Sequence, residues 1–200
     1  MLDLVVLVAD RNMLHALRGA LNRPPALGTA PIRFEILTHP NRDGGVRTTG
    51  KDLLALQQRR ARHGLLMLDH EGCGSNESTH ALESRLDSEL NPKWGCRAKA
   101  IVIEPELDVW MWGAENSLRD VFEWEEDIGI REWLARKGFE FNHAGKPLRP
   151  KEALEAVLLH TRRPRSSALY EEIATRLSLP RCTDAAFQRL RRTLAGWFPA

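Results

Sequence analysis

The chain has 200 residues, 42% of them hydrophobic and 28% charged, with a formal net charge of +2. That length and balance suit a globular protein with one sizeable core and no need for staples. They exclude a membrane-spanning run, and the total charge is too small to argue by itself for nucleic-acid binding.

In chain order, residues 2–9 are a valine-rich apolar run broken only by Asp3, which predicts a buried strand. Asp10 stands where it can cap a helix over 11–21, whose Leu14, Leu17 and Leu21 fall at helical spacing. Pro24, Pro25 and Gly28 mark a loop, and 32–38 alternates as a second strand. Pro40, Gly44, Gly45 and Gly50 read as a loop over 39–50, followed by a helix over 51–62. A third strand is expected at 65–68. A helix over 77–90 carries Leu82, Leu86 and Leu90 on one stripe and stops at Asn91-Pro92. A fourth strand follows at 98–103. Beyond Glu104 the pattern turns helical, with a helix starting at 107–112 and others at 117–122 and 130–137. Residues 138–149 read as a loop. Three closing helices are expected at 151–160, 168–177 and 183–197, the last capped by Thr183.

This order predicts an α/β fold: a mostly parallel four-stranded sheet flanked by helices, with an α/β core over 1–112 and a helical C-terminal extension over 113–200. Ligands of such sheets gather at the carboxyl ends of the strands. Those ends are acidic here. The first strand runs into Asp10, the third into Asp69-His70-Glu71, and the fourth into Glu104-Pro105-Glu106 with Asp108 just beyond. In extended geometry residues two apart project to the same side, so Asp69 and Glu71 face together. Clustered carboxylates repel, and a divalent cation stabilises them. An all-oxygen set suits Mg²⁺ or Mn²⁺. The plain alternative is helix N-capping by Asp10 and by Glu71 or Ser75.

The order of a strand ending in an acid, a strand, a strand ending in a DxD-type pair and a further strand resembles a TOPRIM domain, the metal-binding module of topoisomerases, primases and several nucleases. The run Ile103-Glu104-Pro105-Glu106-Leu107-Asp108-Val109-Trp110 is more closely similar to the small stand-alone TOPRIM-like proteins grouped as DUF4276. The chain is also similar to a small subunit of the methylation-associated bacterial phage-defence system. The resemblance implies antiviral defence, Mg²⁺ or Mn²⁺ as cofactor, nucleic acid and other defence subunits as partners, and a metal-dependent nuclease acting on phosphodiesters. It implies Asp10, Asp69 and Glu71 as catalytic and metal-binding residues, with Glu104 and Glu106 as further ligands. Two departures stand out. TOPRIM domains carry a glutamate after the first strand, where Asp10 stands here beside Arg11, and the DxD pair is lengthened to Asp69-His70-Glu71. They leave open a second reading, a catalytically degenerate interaction subunit.

Charge is unevenly spread. From Glu104 to Glu140 there are eleven acids and four Lys or Arg, and from Pro147 to Ala200 ten Lys or Arg and five acids. The asymmetry fits a metal-binding region beside a phosphate-facing one, or two solvated faces of opposite sign. Arg162, Arg163 and Arg165 form the densest basic stretch and are the candidates for phosphate contact, with Arg189, Arg191 and Arg192 nearby on the last helix. No helix-turn-helix signature accompanies them. His39, Asp43 and His143 sit in predicted loops at the active edge or near it. Cys73 lies between Gly72 and Gly74, which suits a sharp turn better than a nucleophile. Trp110, Trp112, Trp124 and Trp133 crowd the acidic middle and serve core or interface. Cys73, Cys96 and Cys182 make no CxxC pair, and the N-terminus lacks a basic leader, so a reducing cytoplasm is expected.

Overall fold

The computed structural model describes residues 1–176 and 182–200. Strands β1 (Leu2–Val8), β2 (Phe34–Thr38), β3 (Ala61–Asp69) and β4 (Ala98–Ile103) form one all-parallel sheet in the order β2-β1-β3-β4. Between them run helices α1 (Arg11–Leu21), α2 (Pro24–Leu27), α3 (Arg42–Ala55) and α4 (Thr79–Trp94), then a short 3-10 turn at Gly95–Arg97. After β4 come a 3-10 turn over Leu107–Met111 and helices α5 (Glu115–Phe122), α6 (Ile130–Arg136), α7 (Pro150–His160), α8 (Ser167–Arg176) and α9 (Ala185–Trp197).

The central strand explains the layering. Leu4, Val5, Val6 and Val8 of β1 have no exposed surface, as befits a parallel strand covered on both faces. Right-handed crossovers send the chain after β1 to one side and after β3 to the other. α3 accordingly packs on β1, β3 and α4, while α1 carries the large interface with α8. The C-terminal helices share the sheet's core: Tyr170, Ile173, Phe187 and Leu190 join the same apolar cluster as the strands.

β4 is an edge strand whose outer backbone is occupied by side chains. The Ala100 N–H donates to Asp87 (2.7 Å) and the Val102 N–H to Glu83 (2.8 Å), both from α4. Arg189 of α9 donates to the Val102 carbonyl (3.1 Å) and pairs with Glu83 at 2.9 Å. Arg189 is thereby committed to closing the sheet.

The observed elements differ from expectation in instructive places. The glycine-rich stretch read as a loop over 39–50 is mostly helix, because α3 begins at Arg42 and ends at Ala55. Its glycines answer to close packing. A Cβ on Gly45 would meet the His39 ring at 2.3 Å, and one on Gly50 would meet Leu66 at 2.9 Å. Residues 61 and 62, read as helix, belong to β3. α4 runs through Pro92 to Trp94, whose ring is 1% exposed against Gly64; tertiary burial overrides the proline stop. The helix expected from 107 is a 3-10 turn, all five residues buried. The cap of α9 is Asp184, which accepts from the Phe187 N–H at 2.9 Å, in place of Thr183. Leu177, placed at the end of the 168–177 helix, lies outside the described residues. Among the described residues no helix is long and apolar enough to cross a membrane.

Candidate functional site

Strand order reverses at β1 and β3. The chain leaves β1 toward β2 and leaves β3 toward β4, so the two exit loops diverge and open a crevice at the carboxyl ends. A cleft of about 650 Å³ occupies that place. Eight acids line it: Asp10, Asp43, Asp69, Glu71, Glu106 and Asp108, and from α7 Glu152 and Glu155.

Each of the first six is brought there by a different local device. Asp10 follows β1 and caps α1, accepting from the Met13 N–H at 2.9 Å. Asp43 lies in the first turn of α3, and its carboxylate accepts from the Asp69 N–H at 2.7 Å, tying that helix to the end of β3. The Asp69 carboxylate in turn accepts from the Leu107 N–H at 2.9 Å, which anchors the 3-10 turn. Glu71 is exposed, and its backbone N–H donates to the Pro105 carbonyl at 2.9 Å. Glu106 precedes the turn. Asp108 is 5% exposed and accepts from the Tyr170 hydroxyl (2.8 Å) and Arg165 (3.2 Å).

Burial and crowding make Asp43, Asp69, Glu106 and Asp108 reluctant to ionise. Burial, then the charges of Asp43, Asp10, Asp108 and Glu106, push Asp69 well above the usual carboxylate range. Burial and the neighbouring Asp108 raise Glu106 to about 7, with Lys151 pulling the other way. Asp43 is raised by burial and by Asp10, against hydrogen bonds from backbone N–H groups. Asp108 is raised by burial, offset in part by Arg165 and the Tyr170 hydroxyl. Lys151, Arg42 and Arg165 supply positive charge in the wall of the same cleft.

Of the acids picked from the sequence, the fold gathers Asp10, Asp69, Glu71 and Glu106, and with them Asp43, read there as a loop residue at the edge. Glu104 goes elsewhere: it is exposed, bonded to the Thr79 hydroxyl, and lines two smaller pockets beside Asp184 and Ala185. The basic stretch divides. Arg165 faces into the acidic cleft, bound to Asp108, Glu155 and Tyr170. Arg163 pairs with Glu172 at 3.1 Å, and Arg162 is exposed with no ion pair among the described residues. His70 turns away from the acids, its Nε2 within 2.8 Å of the Glu77 carbonyl. His39 is buried in the capping region of α3, between the Asn41 N–H and the Thr49 hydroxyl, and burial lowers its pKa. His143 is exposed. Cys73 is 1% exposed, and its carbonyl is held by Arg47. Trp110 donates to Asp184, Trp112 to the Pro150 carbonyl, and Trp124 and Trp133 meet edge to face beside His160. All three cysteines are free.

The donor set matches a hard divalent cation in kind, since every group is a carboxylate, and a cation would offset the negative charge they concentrate. The side chains ring the cleft, however, without closing on one point. Among the described residues no group of three or more His, Cys, Asp or Glu is placed to hold an ion. Comparison with protein-family models, with curated proteins and with solved structures gave no match. The likeness to TOPRIM proteins therefore rests on the order of strands and acids alone.

Proposed function

We propose that the acidic cleft is a divalent-cation site and that the chain acts on nucleic-acid phosphodiesters, as a TOPRIM-like component of bacterial phage defence. One observation carries the reading: acids from three strand ends and one helix start line a single cleft where strand order reverses. Asp10, Asp69, Glu71 and Glu106 are the residues that would hold Mg²⁺ or Mn²⁺. Such an ion, when bound, lowers the pKa of a coordinated water and stabilises charge on a leaving oxygen. Lys151 and Arg165 in the cleft wall, and exposed Arg162 near it in sequence, would pair with phosphate oxygens. The test is titration calorimetry with Mn²⁺ and Mg²⁺, together with cleavage of labelled single- and double-stranded DNA and RNA. The reading expects cation binding that weakens at least about tenfold in Asp69→Asn, and cleavage that needs the cation. No binding of either ion at millimolar concentration would overturn it.

A second reading, an interaction subunit without turnover, draws on two observations. Asp10 is spent on capping α1, and the acids do not converge on one point among the described residues. It expects stable co-purification with a partner protein, and a complex whose activity survives Asp69→Ala.

A further inference from the structure

Away from the acidic cleft lies a second cavity of about 270 Å³, and its walls are mainly apolar. Small residues make the room: Ala16 and Ala20 of α1, Ala174 of α8, and Gly113 and Ala114 after the 3-10 turn. Trp110, Trp112 and Phe187 form aromatic walls, each no more than 6% exposed. An apolar cavity of about 150 Å³ takes up benzene, so this one has room for a fused bicyclic ring.

Two cations stand in the wall, and they differ in one respect. Arg131 is fully employed, donating to Glu115 (2.8 Å), to the Gly145 carbonyl (2.8 Å) and to the Gly113 carbonyl (2.6 Å). Lys146 is not. Its side chain is 7% exposed, and among the described residues its ammonium has no hydrogen-bond partner. The nearest carboxylate oxygen, on Asp184, is 3.9 Å away, beyond hydrogen-bonding distance. The other oxygen of Asp184 is taken by the Trp110 indole N–H and the Phe187 N–H. An ammonium carries three donors, and a buried charge without acceptors is expensive. The position is also a fixed one. The side chain of Asn142 accepts from the backbone N–H groups of Ala144 and Lys146, both at 3.0 Å, and so shapes the turn that presents the lysine.

We propose that this cavity binds a small aromatic carboxylate, its ring between Trp110, Trp112 and Phe187 and its anionic head on the Lys146 ammonium. A carboxylate supplies the acceptors the ammonium lacks, and the apolar walls take the ring. The ammonium is covered in this structure and Lys146 also lines a neighbouring pocket beside Asp184, so binding requires the lysine head to turn toward the aromatic cavity. The proposal is independent of what the acidic cleft does.

The probe is 2-naphthoate, compared with the neutral 2-naphthylmethanol, titrated into the full chain and followed by calorimetry and tryptophan fluorescence. The acid is expected to bind at least about tenfold tighter than the alcohol. Lys146→Met, close in volume and free of the buried charge, is expected to fold, to keep alcohol binding and to lose the preference for the acid. Equal affinity for acid and alcohol in the unmodified chain, binding of neither at millimolar concentration, or a preference that persists in Lys146→Met would each overturn the proposal. The comparison in the unmodified chain decides the matter even if the variant does not fold.

Discussion

Asp3 and Asp69 stand near opposite ends of the neighbouring strands β1 and β3, and their carboxyls are shifted in opposite directions. At the amino end, Arg33 donates to Asp3 through its guanidinium, its backbone N–H does the same, and Arg62 adds its charge, so the carboxyl is held below its ordinary value. Glu35 at the same end is paired with Arg60 at 2.8 Å. At the carboxyl end, Asp69 has four acidic neighbours pushing its pKa upward. One end of the sheet is neutralised by arginines in the open. The other concentrates like charge in a cleft, which costs stability. The contrast teaches where this protein departs from maximal stability, and such places are where function is to be sought.

The contrast can be broken hardest at Arg165. Arg165→Met takes from the buried Asp108 the cation hydrogen-bonded to it and should cost about 2–3 kcal/mol in chemical denaturation. The matching change at the exposed end, Arg33→Met, should move the midpoint far less, since solvent-exposed pairs contribute little. Equal losses at the two ends would erase the distinction.

The pH dependence sharpens it. A carboxyl whose folded pKa is raised does no harm below its unfolded value and destabilises progressively as pH climbs through the folded one. For Glu106 that window runs from the ordinary 4.5 to about 7. Thermal melts in a chelator should therefore show stability lost across that range, and Glu106→Gln should flatten the slope. Asp3, with its lowered pKa, acts in the opposite sense: its contribution is present above its ordinary 3.8 and lost as pH falls below it. A melting temperature rising steadily from pH 5 to 8 would contradict the picture of the cleft. An intermediate effect, about 1–2 kcal/mol, is expected of Tyr170→Phe, which removes the hydroxyl's hydrogen bond to Asp108 and the acceptor it offers Arg165.

How much of this was legible beforehand differs residue by residue. The strands were readable because parallel strands covered on both faces are continuous apolar runs, and acids at their ends share an edge whatever the details of packing. Asp10, Asp69, Glu71 and Glu106 follow from that alone. Glu104 does not, since only the path of the chain after β4 decides which of two acids two residues apart turns into the cleft; here Glu104 turns to Thr79. Asp43 reads as a loop residue at the active edge, and it does line the cleft, but its place in a helix was hidden by its neighbours. Gly44, Gly45 and Gly50 read as a loop, and only the packing of His39 and Leu66 makes them part of a helix. The available signal was an acid placed to start a helix, the pattern favoured by the helix dipole. Asp108 was visible as a residue, but its anchors, Tyr170 and Arg165, lie about sixty positions away and belong to tertiary structure.

The side-chain closure of β4 sets a boundary on assembly. A strand from another molecule joining there would first have to displace the bonds that Glu83 and Asp87 make to the backbone N–H groups and the bond from Arg189 to the Val102 carbonyl. Hydrogen bonds to charged groups of this kind are worth about 1.5–3 kcal/mol each. The neutral ladder replacing them would recover less than it removed. On that side the sheet is protected against fibre growth and strand exchange by three charged side chains, and further copies of the chain find no template there to extend.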